Sequence, residues 1–243
     1  MLPTLVLLHG FTQTRQSWRR TAQALAGRYR AITPDLPGHG QCSERPASFA
    51  SATAYIRALQ PDILAGYSMG GRIALNAALT LKPRRLILVG ASPGLQEPSE
   101  REQRRRQDDA LADRIEQIGI EAFAREWGAQ PLFEGQAERV RNAAYADRLR
   151  NTPHGLAAAL RGLGTGVMEP LWDRLPELDL PVTLIVGERD EKFRAIAERM
   201  RERLPRAELA IVPGAGHAAQ LESPELVAAA IYQSGSPYSS ASA

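Results

Sequence analysis

The sequence is poor in cysteine, in lysine and in long apolar runs. Its single cysteine, Cys42, excludes an internal disulfide and is typical of a reducing, cytoplasmic environment. No stretch approaches the roughly 18 apolar residues that a membrane-spanning helix needs, so no membrane span is expected. The apolar start, residues 1–10, has no basic segment and runs directly into a loop motif, which predicts a first core strand rather than a signal peptide.

Positive charge is carried almost entirely by arginine. Of 30 lysine and arginine residues only Lys82 and Lys192 are lysines, and the formal net charge is +3. Nucleic-acid binding would require a basic stripe on a recognition fold. No such fold is indicated, so the expected partner is a small molecule. The densest basic run, residues 101–106, is either a solvated helix face or an anion site, and its position in the chain favours the anion site.

The segment around Ser68 organises the rest of the chain. An apolar run, residues 62–65, precedes Gly66-x-Ser68-x-Gly70, and a helix-forming run, residues 72–79, follows it. Strand, Gly-x-Ser-x-Gly and helix in this order predict a nucleophile elbow, with the serine projecting at the carboxyl edge of a sheet. The glycines make room where the strand turns abruptly into the helix. A chance motif in a loop is the alternative, and the flanking strand and helix argue against it.

Short apolar runs alternate with helix-forming segments along most of the chain. This alternation predicts an α/β fold with a mostly parallel sheet flanked by helices. Between about residues 97 and 170 the periodicity is helical, which predicts an all-helical cap above the carboxyl edge of the sheet. The predicted strands are 4–8, 29–33, 62–67, 85–90, 182–186 and 207–212. The predicted units are core 1–96, cap 97–170, core 171–232 and a disordered polar tail, 233–243.

A serine needs an imidazole within hydrogen-bond reach and a carboxylate that orients the imidazole. In the fold that carries the elbow, the chain order is serine, acid, histidine. The histidines after Ser68 are His154, in the predicted cap, and His217, in the loop 213–217 after the last predicted strand. We therefore predict that His217 is the base.

The acid should follow the strand that precedes the histidine loop. Asp190 lies in that position, just after the strand predicted at 182–186. Asp179 and Glu188 compete with it. Asp179 precedes the strand and so lies at the wrong end, and Glu188 is closer to the strand end. We favour Asp190.

An oxyanion hole would consist of two backbone N–H groups. The candidates are Met69, directly after the serine, and Phe11, in the loop after the first predicted strand. The side chains of both residues are expected simply to pack. His9 and His39 are expected to hold loop backbone rather than to act in catalysis.

Arginines near the serine indicate an acidic substrate. Arg72 lies four residues after Ser68, one helical turn further on the same face. A planar guanidinium binds carboxylates through two hydrogen bonds. The alternative for Arg72 is a salt bridge that holds the cap.

Two predicted cap helices each direct a further arginine inward. The apolar face of the first helix comprises Leu111, Ile115 and Ile118. Continued towards the N-terminus by helical steps, this face reaches Asp108 and then Arg104. The same reasoning on a later helix reaches Arg150, in a row with Val140, Ala143 and Asp147. Three arginines directed at one serine suit a substrate with several carboxylates, whereas a lipid esterase would need an apolar cleft.

Several segments fit one family pattern, namely 66–72, 93–96, the run through Arg104, 123–127, 130–133, 149–151 and 187–194. The pattern is similar to the 2-succinyl-6-hydroxy-2,4-cyclohexadiene-1-carboxylate (SHCHC) synthases of menaquinone biosynthesis, which have an α/β-hydrolase fold. The elbow and the loop after the first strand are common to the superfamily, and the other segments are more specific.

The resemblance implies a lyase. The family takes a ring proton from 2-succinyl-5-enolpyruvyl-6-hydroxy-3-cyclohexene-1-carboxylate, which has three carboxylates, and expels pyruvate. Ser68, primed by His217 and Asp190, would act as the base and not as an acyl acceptor. The Phe11 and Met69 amides would hold the developing enolate oxygen.

The resemblance also implies a set of substrate-binding residues, namely Tyr67, Arg72, Arg104, Trp127 and Arg150. Gly128, directly after Trp127, is expected to leave a roomier pocket. No metal or other cofactor is implied, and we expect a monomer or a weak oligomer.

Two other functions stay open. A serine hydrolase of the same fold, either a carboxylesterase or a carbon–carbon bond hydrolase, would use Ser68 or an activated water for acyl chemistry. The arginines argue against a simple esterase. A binding protein without turnover would have no need of a complete triad.

Overall fold

Six strands form one parallel sheet in the computed structural model, which describes residues 1–233. The strands are β1 (Thr4–Leu8), β2 (Arg30–Ile32), β3 (Ile63–Tyr67), β4 (Arg85–Val89), β5 (Val182–Gly187) and β6 (Ala207–Val212). Their order across the sheet is β2-β1-β3-β4-β5-β6, and each neighbouring pair is parallel. The predicted α/β class is confirmed. The strand order reverses between β1 and β3, and open parallel sheets bind ligands outside the carboxyl ends of the strands at such a point.

Helices cover both faces of the sheet and fill the interval between β4 and β5. They are α1 (Arg19–Ala24), α2 (Phe49–Ala58), α3 (Met69–Leu81), α4 (Pro98–Gly128), α5 (Glu138–Arg148), α6 (Pro153–Leu163), α7 (Glu191–Arg203), α8 (Ala219–Glu222) and α9 (Pro224–Gln233). Helix α4 is broken at Gly119, where φ is 76°. Among residues 1–233, no helix is both long and apolar enough to cross a membrane.

The four central strands, β1, β3, β4 and β5, are mostly apolar and buried on both faces, whereas the edge strands β2 and β6 are partly exposed. In β1, Val6 and Leu8 pack with residues of α2, α3 and α7, whereas Leu5 and Leu7 point to the opposite face, towards α9. The sheet therefore separates two apolar cores, one on each of its faces.

Helices α4 and α6 enclose a third, smaller apolar cluster above the sheet. Its buried members are Ala112, Ile115, Phe123, Leu156, Ala157 and Leu160. The whole interval from 97 to 170 is described and contains helices and turns without a strand. Its boundaries as a separate cap stay a prediction. Gln233, predicted to begin the tail, instead ends α9, and residues 234–243 lie outside the described residues.

Glycine at position 70 lets α3 begin directly over the end of β1. A Cβ there would overlap the Leu8 and His9 carbonyls, and backbone cannot move aside. Gly27 differs, because it has a φ of 80° with nothing within 4 Å of an added Cβ.

We expect Gly70→Ala to lower the free energy of unfolding by about 3 kcal/mol, as overpacking does. The control Gly27→Ala should cost about 1 kcal/mol, since it meets only the left-handed backbone penalty. Denaturant titration of both variants measures the difference. Equal losses would contradict the steric role of Gly70.

Candidate active site

Ser68 lies at the abrupt turn between β3 and α3. Its φ of 50° and ψ of −110° are strained for a residue other than glycine. The Ser68 N–H donates to the Val89 carbonyl at 2.9 Å, and the Ser68 carbonyl accepts the Arg72 N–H at 3.0 Å. A Cβ at Gly66 would overlap the Gly70 backbone. The turn therefore has the shape of a nucleophile elbow.

Three side chains from three elements form a hydrogen-bonded row. His217 Nε2 lies 3.3 Å from Ser68 Oγ, and His217 Nδ1 lies 2.7 Å from Asp190 Oδ2. A carboxylate only accepts, so Nδ1 carries the proton and Nε2 accepts from the serine hydroxyl. Asp190 also begins α7, where its Oδ1 accepts the Phe193 N–H at 3.4 Å. The arrangement matches a Ser–His–Asp triad in the predicted chain order.

The competing acids and the other late histidine lie elsewhere. Asp179 is exposed before β5, at the opposite end of the strand. Glu188 is exposed and accepts the Gly214 N–H at 2.8 Å. The His154 side chain is 72% exposed and lies 3.5 Å from Glu116. None of the three contacts Ser68.

Phe11 and Met69 both line the cleft beside Ser68. Met69 is the first residue of α3, where backbone N–H groups have no partner within the helix. Within residues 1–233 neither the Phe11 nor the Met69 N–H has a hydrogen-bond partner. Two free donors beside the serine suit an oxyanion.

His9 and His39 hold the loop that presents Phe11. His9 Nε2 accepts the Leu36 N–H at 2.9 Å, and His39 Nε2 accepts the Thr12 N–H at 3.3 Å. Burial lowers the pKa of His9 to about 4. Burial, and then the charge of His9, lower the pKa of His39 to about 3. Both imidazoles are neutral acceptors at neutral pH.

Two arginines line the same cleft as Ser68, a cavity of about 220 Å³. Arg72 is only 8% exposed, and its Nη1 donates to the Leu163 carbonyl at 2.8 Å. Burial, and then the charge of Arg104, lower the pKa of Arg72 to about 10. Arg104 Nε donates to Asp108 Oδ1 at 2.8 Å. Arg72 thus contacts α6 through a backbone carbonyl, and no carboxylate among residues 1–233 forms an ion pair with it.

Comparisons with known proteins match this geometry. The model of the "Alpha/beta hydrolase family" matches residues 5–230. A putative SHCHC synthase of Bacillus subtilis is 40% identical over 237 residues, covering 91% of this chain and 86% of the relative. An SHCHC synthase of Klebsiella pneumoniae is 35% identical over 240 residues, covering 95% and 93%. The chain belongs to the SHCHC synthase family of α/β-hydrolases.

Solved structures agree with this membership. MenH from S. aureus superposes with a TM-score of 0.90 at 35% identity, covering 94% of this chain and 91% of that one. A thermophilic esterase from Thermogutta terrifontis, with malate bound, has a TM-score of 0.77 at 29% identity, covering 95% and 88%. The fold of this SHCHC synthase family member is therefore shared with hydrolases.

Arg150, predicted to line the site, lies outside the cleft. Helix α5 ends at Arg148 and buries Val140, Ala144, Asp147 and Arg148. The predicted row through Ala143 and Arg150 therefore follows a face next to the buried one and runs past the end of the helix. The Arg150 side chain is 59% exposed and lies 3.8 Å from Asp147. Arg148 is the buried arginine of this region, and burial lowers the pKa of its guanidinium.

Tyr67 and Gly128 also differ from expectation. Tyr67 is buried beside His217, with ring centroids 5.2 Å apart, and is not part of the cleft lining. A Cβ on Gly128 would lie 3.0 Å from Arg148 Nη1. Gly128 therefore makes room for Arg148 rather than enlarging the pocket. Trp127 does line the cleft, with its ring 5.2 Å from the Phe11 ring.

The cleft includes residues that the analysis of the sequence did not assign to the site. They include Ser92, Gln130, Leu132, Lys192 and Phe193, with Ala159, Leu160 and Leu163 of α6. Four of them lie in segments that carry the family resemblance, Gln130 and Leu132 in 130–133 and Lys192 and Phe193 in 187–194. The α6 residues carried no signal, because their contact with the cleft depends on how α6 packs on the sheet.

Burial of His9 and His39 makes stability depend on pH. Unfolded histidine titrates near 6.5 and these folded imidazoles near 4 and 3, so between these values the unfolded chain binds more protons. The free energy of unfolding is therefore expected to fall as pH drops from 6.5 towards 4. Each histidine contributes up to about 1.4 kcal/mol per pH unit.

Urea unfolding at pH 7 and pH 4.5 measures this loss. His39→Gln, whose amide can still accept and donate, should lose less stability between the two pH values than the wild type. His154→Gln, a change at an exposed site, should behave as the wild type. The same pH dependence in all three proteins would contradict the assignment.

Proposed function

We propose that this protein eliminates pyruvate from 2-succinyl-5-enolpyruvyl-6-hydroxy-3-cyclohexene-1-carboxylate and releases SHCHC. The observation that carries the proposal is the presence of Arg72 and Arg104 in one cleft with Ser68. Two cations beside a serine triad match a substrate with three carboxylates. The relatives named SHCHC synthase, at 40% and 35% identity, support the same reaction.

In this mechanism Ser68 acts as the base. His217 Nε2 takes the hydroxyl proton, and the serine oxygen removes the ring proton beside the succinyl ketone. Asp190 keeps the imidazole in the required tautomer. The ketone oxygen, which gains negative charge, accepts hydrogen bonds from the Phe11 and Met69 N–H groups. The electron pair then moves through the ring, and the C–O bond to the enolpyruvyl group breaks. The departing enolate takes the proton held by His217 and becomes pyruvate.

Burial of Arg72 favours binding of an anion. A guanidinium out of water has lost hydration, and its attraction to a carboxylate is stronger at low dielectric. At neutral pH Arg72 stays protonated, because its pKa of about 10 is still well above 7. Arg104 is 41% exposed at the side chain and pairs with Asp108. A substrate carboxylate can bind to its remaining N–H groups.

A serine hydrolase, either a carboxylesterase or a carbon–carbon bond hydrolase, is the second candidate. The specific observation in its favour is the likeness to the Thermogutta terrifontis esterase. Its acyl chemistry would use the same triad, with Ser68 attacking a carbonyl. The arginines beside Ser68 favour the lyase over a simple ester substrate.

The setting of the enzyme is also part of the proposal. Cys42 is half-buried and forms no disulfide within residues 1–233, which suits a reducing cytoplasm. We expect a monomer or weak oligomer that acts on a small-molecule substrate without nucleic acid, metal or other cofactor.

Pyruvate release, coupled to lactate dehydrogenase, tests the reaction with enzymatically prepared enolpyruvyl substrate. The wild type should release pyruvate rapidly, and Ser68→Ala should lose at least about 10³-fold in kcat, because both the base and its proton acceptor become ineffective. Retained turnover in Ser68→Ala would refute the role of Ser68. Cleavage of nitrophenyl esters without pyruvate release would favour the hydrolase.

Arginine substitutions test how the substrate is bound. Arg104→Ala should lower kcat/KM by about 10- to 100-fold, as the loss of a charge-assisted hydrogen bond does. Arg106→Ala on the same helix, with its side chain 75% exposed, is the matched control, and Arg150→Ala is a second one. Both controls should stay within about twofold of the wild type. Equal effects at 104 and 106 would exclude Arg104 as a substrate ligand.

A further inference from the structure

Glu222, at the end of α8, is a carboxylate close to the triad that the mechanism above does not use. Its side chain is only 7% exposed. Oε2 accepts the Gly216 N–H at 2.8 Å and the Arg189 Nη2–H at 2.9 Å. Oε1 accepts the Gln136 Nε2–H at 3.2 Å. Glu222 therefore joins three separate segments.

Two of those segments hold the triad. Gly216 directly precedes His217, and Arg189 directly precedes Asp190. Arg189 adds a second bond to the histidine loop, since its Nε donates to the Gly214 carbonyl at 3.0 Å. The loop that carries His217 and the loop that carries Asp190 therefore both form hydrogen bonds with the Glu222 carboxylate.

The third segment belongs to the helical interval and borders the cleft. Gln136 is 4% exposed and lies between α4 and α5. Arg189 Nη1 also donates to the Glu134 carbonyl at 3.5 Å. The same segment carries Gln130 and Leu132, which line the cleft with Ser68. A shift of this segment would therefore reach Glu222 through Gln136.

The histidine loop borders an open space on the side of Gly135 and Arg189, and the bonds of Arg189 and Glu222 to Gly214 and Gly216 hold it there. A second cavity of about 420 Å³ lies here, lined by Gly135, Arg189, Gly216 and His217 among others. The contact between His217 and Ser68, at 3.3 Å, is longer than the contact between His217 and Asp190, at 2.7 Å. Catalytic hydrogen bonds in ligand-free sites are often long and tighten with substrate bound. We therefore expect bound substrate to shorten the distance from His217 Nε2 to Ser68 Oγ.

We propose that Glu222, Arg189 and Gln136 are positioning residues that couple segment 130–136 to His217. When substrate draws this segment onto the cleft, the Gln136–Glu222 bond restrains the histidine loop and sets the distance from Nε2 to Ser68 Oγ. The inference rests on the proposed triad chemistry, but the connection itself is a property of the free protein.

The test uses Gln136→Leu and Glu222→Gln, with Glu225→Gln as the matched control. Glu225 is on the neighbouring helix, its side chain is 65% exposed, and it pairs with Arg20 away from the site. One readout is the split between kcat and KM for pyruvate release. The other is solvent exchange of the His217 Nδ1 proton by NMR in the absence of substrate. The second readout does not depend on which reaction the protein catalyses.

Gln136→Leu should lower kcat at least tenfold, with KM within threefold, and should accelerate exchange of the Nδ1 proton at least tenfold. The double variant with Glu222→Gln should be no worse than the more impaired single variant, because Glu222→Gln weakens all three bonds of the carboxylate and Gln136→Leu removes one of the same three. Glu225→Gln should leave both readouts unchanged.

If Gln136→Leu folds with unchanged proton exchange and unchanged kcat, the coupling is refuted and the cluster is only structural. If the wild type releases no pyruvate, the proposed function is refuted. The coupling is then tested by whether Gln136→Leu accelerates exchange of the His217 Nδ1 proton. If Glu222→Gln does not fold, Gln136→Leu decides alone.

Discussion

The close approach of α3 to β1 and β3 at Ser68 is the constraint on which the rest of the site depends. Gly66 and Gly70 permit it, because a Cβ at either position would overlap backbone. The turn fixes the serine hydroxyl, the Met69 N–H and Arg72 relative to one another in a single step. The other groups reach this point because the strands are parallel, so that the loops after β1, β5 and β6 all emerge at the same edge.

Charge burial explains why the helical interval matters for chemistry. Helix α6 covers Arg72 and accepts one of its hydrogen bonds at the Leu163 carbonyl, while α4 contributes Arg104 with its partner Asp108. Without these helices the two guanidinium groups would face water, and a carboxylate would gain little by binding to them. In the proposed reaction, the edge of the sheet carries Ser68, Asp190 and His217, and the helices lower the dielectric around the cations that would bind an acidic substrate.

The prediction from the sequence fails on helix α5. Of the predicted inward row, Val140 and Asp147 are buried, but Ala143 is exposed, and the other buried residues are Ala144 and Arg148. Gly128 leaves the space that Arg148 occupies. A sequence indicates the period of a helix, but which face is buried, and where the helix ends, depends on the neighbouring elements.

The sequence by itself determined the α/β class, the elbow at Ser68, and the choice of His217 and Asp190 by chain order, because these follow from local patterns and from the direction of parallel strands. Only the tertiary structure decided which arginines enter the cleft, that Tyr67 packs behind His217, and that Glu222 joins the histidine loop, the acid loop and segment 130–136. Those contacts join residues far apart in the chain. Their distances depend on how α4, α5 and α6 pack over the sheet, and no local pattern in the sequence encodes that packing.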